Sequence, residues 1–340
     1  MTTTYKLLAA MSLAFVFSLA SCGTEERPGQ VKETETTTPE VRSLEVPMFN
    51  ADSAFQFIAD QLEFGSRVPG TEAHRACRDY FVEKMNSFGA QVEVQEFNAR
   101  LFPGQSTIRC YNIIARFNPQ NRQRILLAAH WDSRYVADHD PVEANRTLPV
   151  PGADDGASGV GVLMEIARKL GNNPIGMGVD IVFFDAEDQG KDGGRDSETW
   201  GIGAQRWSQN IARSSGPKPR YGILLDMVGA SNPRFGREGF SVRYAPDAVD
   251  KVWRVAQQLG YGRFFVNQQV PGVIDDHYFV NTIAQIPMIN IINRPPGTNT
   301  GFVPHWHTIS DDLDAIDKST FHAVVHTVLE VLYREDADAF

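Results

Sequence analysis

Acidic and imidazole side chains recur just after short apolar runs along this 340-residue chain. His130 and Asp132 follow the run at 124–129, and Asp154 and Asp155 come next. Asp185, Glu187 and Asp188 follow the run at 179–184, and Asp226 follows that at 222–225. Asp275, Asp276 and His277 come later, then His305 and His307. Burying several carboxylates together costs several kcal/mol per ion unless countercharge is supplied, and no matching set of Lys or Arg stands beside them in sequence. A cation resolves the conflict. Nitrogen and oxygen donors with no cysteine nearby suit zinc at a catalytic site, where three protein ligands leave one position for substrate.

Taken one by one, the same residues have plainer uses. Asp154-Asp155-Gly156 suits a helix-capping turn, and Glu187-Asp188 suits a solvated loop. His139 and His322 have no such setting and read as surface or packing residues. The stretch 189–198 is rich in Asp and Gly without the spacing of a calcium loop, and reads as a polar loop beside the site.

The elements that must position these groups are legible as patterns. Residues 71–88 carry apolar side chains at three- and four-residue spacings and stop at Gly89, which predicts a helix with a glycine terminus. Residues 91–97 and 107–117 alternate in part, as extended segments do, whereas 124–129, 179–184 and 222–225 are continuous apolar runs of buried-strand type. A helix over 158–170, a strand over 287–292 and a C-terminal helix over 319–332 complete the pattern. Strands alternating with helices predict an α/β fold with a mostly parallel (mixed) central sheet and helices on both faces. In such a sheet the carboxyl ends of the strands bind ligands, which is where the acids fall.

Composition narrows the function classes. With 42% hydrophobic positions and three cysteines the chain is neither disordered nor a disulfide scaffold. A formal net charge of −10 without a basic cluster argues against nucleic acid as a partner. Lys6 followed by an apolar run over 7–20 reads as a signal segment, too short for the roughly 20 residues of a membrane helix. It ends in Leu19-Ala20-Ser21-Cys22, which resembles a bacterial lipobox and marks Cys22 for lipidation. The expected layout is a signal peptide at 1–21, a lipidated, disordered tether at 22–47, and one catalytic domain at 48–340. That implies a lipid anchor in the bacterial cell envelope, facing the periplasm or the surface. Whether Cys77 and Cys110 pair is open, because sequence does not supply their separation.

The ordered series resembles the zinc-dependent M28 aminopeptidase and glutaminyl cyclase superfamily over nearly all of 50–335. The matching residues are His130-Trp131-Asp132, Asp155, Glu187-Asp188, Asp226 and His307. Phe-Phe-Asp-Ala-Glu-Asp at 183–188, Leu-Leu-Asp-Met-Val-Gly-Ala at 224–230, Asp275-Asp276-His277 and Trp306-His307-Thr308 are more similar to the glutaminyl-peptide cyclotransferases. The resemblance implies a zinc aminopeptidase-like fold and one zinc per chain held by Asp155, Asp188 and His307. It implies Glu187 as acid/base, with Asp226 and Asp275 as hydrogen-bonding partners of the base and of the reacting amide. Phe302 and Trp306 would line the pocket, joined by Trp200, with Ile274 where animal cyclases have Gln and Asp188 where they have Glu. The implied substrates are peptides or proteins beginning with glutamine, converted to pyroglutamate with release of ammonia. A di-zinc aminopeptidase is the alternative, with His130 and Asp226 available for a second metal. A non-catalytic peptide-binding lipoprotein is a third reading, disfavoured by an intact Glu187.

Overall fold

The apolar runs become the middle of a six-stranded sheet. The computed structural model describes residues 45–101, 107–191 and 199–340, so the signal segment, Cys22 and most of the tether lie outside the described residues, as does 192–198 of the polar loop. The strands are β1 (Gln91–Ala99), β2 (Ile108–Phe117), β3 (Arg124–His130), β4 (Gly178–Phe184), β5 (Gly222–Asp226), β6 (Phe235–Glu238), β7 (Phe265–Val270) and β8 (Met288–Ile292). The main sheet has the order β1-β2-β4-β3-β5-β8, and β6 and β7 form a separate parallel pair. β4, β3, β5 and β8 are mutually parallel, while β1 and β2 add an antiparallel edge. Every residue of β3, β4, β5 and β8 is buried, as strands covered on both faces must be.

The helices are α1 (Ala51–Glu63), α2 (Glu72–Ser87), α3 (Ala157–Asn172), α4 (Ile202–Arg213), α5 (Gly239–Tyr244), α6 (Pro246–Gln258), α7 (Asp276–Phe279) and α8 (Lys318–Asp336). Successive strand residues point to opposite faces, and β3 shows the result. Ile125, Leu127 and Ala129 join the large core with Ile58 of α1, Phe81 of α2, Leu163 of α3 and Val328 of α8. Leu126 and Ala128 join a second core with Trp207 of α4 and Phe279 of α7. Helices therefore cover both faces.

Local signals explain the helix ends. Thr71 caps α2 by accepting from His74 N at 3.2 Å, and Gly89 takes the left-handed backbone (φ 86) that terminates it. Asp317 caps α8, which runs four residues past the expected end at 332. Gly159 sets the approach of α3 to the sheet: a Cβ there would stand 2.3 Å from Leu225 O and 2.8 Å from Ala129 Cβ. Cys77 and Cys110 are both buried and free.

Candidate active site

Several of the site acids are fixed through their own backbone N–H groups, which donate to other buried carboxylates. Asp311 clamps the turn before α3, its two oxygens accepting from Asp154 N (2.7 Å) and Asp155 N (3.1 Å). Asp154 in turn accepts from Gly229 N (2.7 Å) and lies 2.9 Å from His305 Nε2. Asp132 organises the turn after β4: it accepts from Glu187 N (3.0 Å), Asp188 N (3.2 Å) and Gln189 Nε2 (2.8 Å). Asp185 accepts from Ala186 N in that turn (2.8 Å) and from Tyr111 N (2.5 Å), with His74 Nε2 at 2.9 Å. Three non-glycine residues around the site take left-handed backbone, Ala186 (φ 56), Met227 (φ 46) and His307 (φ 55). Such conformations cost about 1–3 kcal/mol each and persist where surrounding contacts over-determine them.

These turns enclose a cavity of about 190 Å³. Asp155, Glu187, Asp188, Asp226, Asp275 and His307 line it, with walls from Trp200, Ile274, Phe302 and Trp306 and further apolar surface from Met227, Val273 and Ile292. Phe302 and Trp306 are stacked at 4.5 Å between ring centroids, and Ile274 is 38% exposed, which places it at the rim. Every candidate assigned from sequence to catalysis, pocket or first metal therefore faces one space. His130 stands behind it, with Nε2 3.0 Å from Asp155 Oδ1 and 3.4 Å from Asp226 Oδ1.

Two donor groups share Asp155. In the first, His307 Nε2 is 2.9 Å from Asp188 Oδ1 and 3.9 Å from Asp155 Oδ2, and ligand atoms of the three residues lie within 4.8 Å of one another. The second oxygens of Asp155 and Asp188 are buried with no hydrogen-bond partner. Buried carboxylate oxygens converging on an imidazole nitrogen fit a zinc ion by number and type of donor. Asp138 Oδ1, 3.3 Å from His307 Nδ1, supplies the carboxylate that commonly orients a metal-binding imidazole. The second group is His130, Asp155 and Asp226.

Electrostatics separate the carboxyl groups. Burial, followed by the charge of Asp275, pushes the Glu187 pKa well above its ordinary value, and the same two causes raise Asp226. Burial and the Asp155 charge raise Asp188. Asp155 moves the other way: burial opposes its charge, but the hydrogen bond and charge of His130 outweigh that. Burial disfavours charge on His307 too, yet the Asp188 carboxylate holds its pKa above the ordinary value.

Two residues correct or extend the sequence reading. A cation does stand beside the acids: Arg134 Nη1 lies 3.7 Å from Asp188 Oδ1 and donates to Asp188 O at 3.0 Å. It forks onto Asp138 at 2.6 and 2.8 Å, so much of its charge is already met. His139 does pack, and it does so beside the site: its ring is 4.5 Å from Trp306 and 5.6 Å from His307. His322 packs as expected, against Phe49 and Tyr261.

Comparison with known proteins agrees with this geometry. Residues 112–332 match the pattern of Peptidase family M28. The chain is similar to the solved structure of Bacteroides thetaiotaomicron glutaminyl cyclase bound to N-acetylhistamine, at 45% identity and TM-score 0.81, covering 85% of this chain and 99% of that one. It is equally similar to that of a Zn-dependent exopeptidase from Parabacteroides distasonis, at 46% identity and TM-score 0.81, covering 85% and 99%. Among curated proteins it is 25% identical over 278 residues to the glutaminyl-peptide cyclotransferase of Drosophila melanogaster, covering 75% of this chain and 73% of that one.

Proposed function

The chain belongs to peptidase family M28, and from that premise we infer that it is a glutaminyl-peptide cyclotransferase, converting N-terminal glutamine to pyroglutamate with release of ammonia. The observation that carries the reading is the single cavity in which Glu187 shares space with Asp155, Asp188 and His307 under aromatic walls.

Asp155, Asp188 and His307 would hold one zinc ion. When bound, zinc supplies Lewis-acid polarisation of the substrate's γ-carbonyl. Glu187 is the proton shuttle: it takes a proton from the α-amine as that nitrogen closes on the side-chain carbonyl carbon, Cδ, then returns a proton to the departing side-chain nitrogen. A pKa above that of a free glutamate suits a group that must both accept and return a proton. Asp226 and Asp275, which line the same cavity, would be hydrogen-bonding partners of the base and of the reacting amide. The walls at Phe302, Trp306 and Trp200 hold the flexible side chain curled, which supplies the proximity that an intramolecular attack needs. Ile292, Val273 and Met227 make an apolar floor for the methylene stem and keep water from competing with the amine.

A di-zinc aminopeptidase is the second reading, favoured by the His130, Asp155 and Asp226 group. Incubation with a Gln-initiated peptide separates the two. The cyclase reading expects loss of ammonia by mass, no cleavage, and one zinc per chain by elemental analysis; release of the first residue with two metals bound would replace it. The lipobox at 19–22 further supports lipidation at Cys22 and an anchored position in the bacterial envelope.

A further inference from the structure

The substrate continues beyond its first residue, and a second cavity begins where the first one ends. Three chain segments pass from one to the other. Val273 and Ile274 line the catalytic cavity while Pro271 lines the second; Ile292 lines the first and Arg294 the second; Phe302 lines the first and Gly301 the second. The second cavity measures about 250 Å³ and is also bordered by Arg234 and by the β7 residues Gln268 and Gln269.

Its charge is the reverse of the first. Five of the residues lining the catalytic cavity are acids, whereas the second cavity is lined by two arginines and no acidic residue. Arg294 N donates to Arg234 O at 3.2 Å, which puts both arginines on one wall. Arg294 is held: its Nε donates to Gly301 O at 2.6 Å and its guanidinium lies 4.3 Å from the Phe302 ring centroid. Gly301, with left-handed backbone (φ 77), makes room for it, since a Cβ there would meet Arg294 Nη2 at 2.8 Å. Arg234 is exposed. In a chain of net charge −10, a preformed cationic pocket beside an acidic one is a site matched to a dipolar ligand, amine at one end and carboxylate further on.

We propose that this second cavity is a specificity subsite for the substrate's downstream residues, selecting Gln-initiated peptides that carry a carboxylate within their first few positions. The proposal rests on the cyclase reading and deepens it. On this proposal the N-terminal glutamine occupies the first cavity and a residue within the next few positions reaches the second, an extended peptide advancing about 3.3–3.6 Å per residue.

The test uses two C-terminally amidated peptides, Gln-Ala-Glu-Ala and Gln-Ala-Lys-Ala, with the free-acid form of Gln-Ala-Ala as a third, so that side-chain and terminal carboxylates are distinguished. The expected result is a kcat/KM about three- to tenfold higher for the Glu peptide than for the Lys peptide, the size of a partly exposed charge contact, with the ratio shrinking as salt is raised. Arg234→Glu should invert the ratio and Arg294→Gln should flatten it. Selection by terminal carboxylate alone would appear as a preference for the free acid with equal rates for the amidated pair, and would overturn the side-chain form of the proposal. Equal turnover of all three peptides overturns the subsite while leaving the cyclase reading intact. Failure to form pyroglutamate from any of them overturns that reading instead.

Discussion

At Glu187 the two demands on a proton shuttle, burial and access, meet in one side chain that is 8% exposed. Replacing it by Gln preserves shape and removes the transferable proton, so Glu187→Gln should lower kcat by roughly 10²- to 10⁴-fold with zinc content unchanged; near wild-type turnover would remove Glu187 from the mechanism. Glu238 makes a different residue-scale prediction. Burial alone would raise its pKa, but the hydrogen bond and charge of His277, with the Phe240 amide and Ser241, hold it at about 2. A pKa depressed from about 4.3 in the unfolded chain contributes stability above that value, lost as pH falls toward 2. Glu238→Gln should therefore cost about 1–3 kcal/mol in denaturant melts at pH 6, and the gap from wild type should close between pH 4.5 and 2. A gap independent of pH would show that the ionised form does not matter. At this scale, Glu187, Asp188 and Asp226 are readable in the sequence because they stand at or just beyond the ends of the apolar strands β4 and β5. Asp138 and Arg134 are not, since they lie in irregular backbone between β3 and α3 where no periodicity marks which side chains return to the site.

At the scale of elements, the close approach of α3 to the sheet decides where Asp155 sits. Gly159→Ala gains about 1 kcal/mol of helix propensity, but its Cβ would meet a backbone oxygen at 2.3 Å, which cannot rotate away. The clash wins: a net loss of about 1–3 kcal/mol is expected, read as a lowered melting temperature, together with reduced turnover as the α3 N-terminus shifts. An unchanged melting temperature would mean that the helix slides without penalty. The central strands and α2, α3 and α8 are legible from apolar runs, caps and spacing. The β6-β7 pair, α1, α4, α5, α6 and α7 are not, for reasons visible in their residues. β7 has three exposed positions in a row, and α7 is a single turn whose place is set by Asp275 capping it and by Asn290 Nδ2 bonding to Asp275. The Asn290 bond joins separated segments, and no local pattern carries it.

At the scale of the whole molecule, the lipobox predicts that the mature protein partitions into detergent and that Cys22→Ser releases or misprocesses it; a native protein recovered entirely in the aqueous phase would contradict the anchor. The acid-lined cavity has a consequence for how such a chain matures. Folding draws Glu187, Asp188, Asp226 and Asp275 together, and burial raises the pKa of each, as the Asp188 charge does for His307. Zinc needs deprotonated ligands, so it competes with protons for Asp188 and His307, and loading the metal is expected to release protons. Calorimetric titrations in buffers of different ionisation enthalpy should count those protons directly. Apparent zinc affinity should rise as the medium becomes more alkaline, so that the acidity of the surroundings, as much as their zinc content, governs how much of the enzyme becomes active.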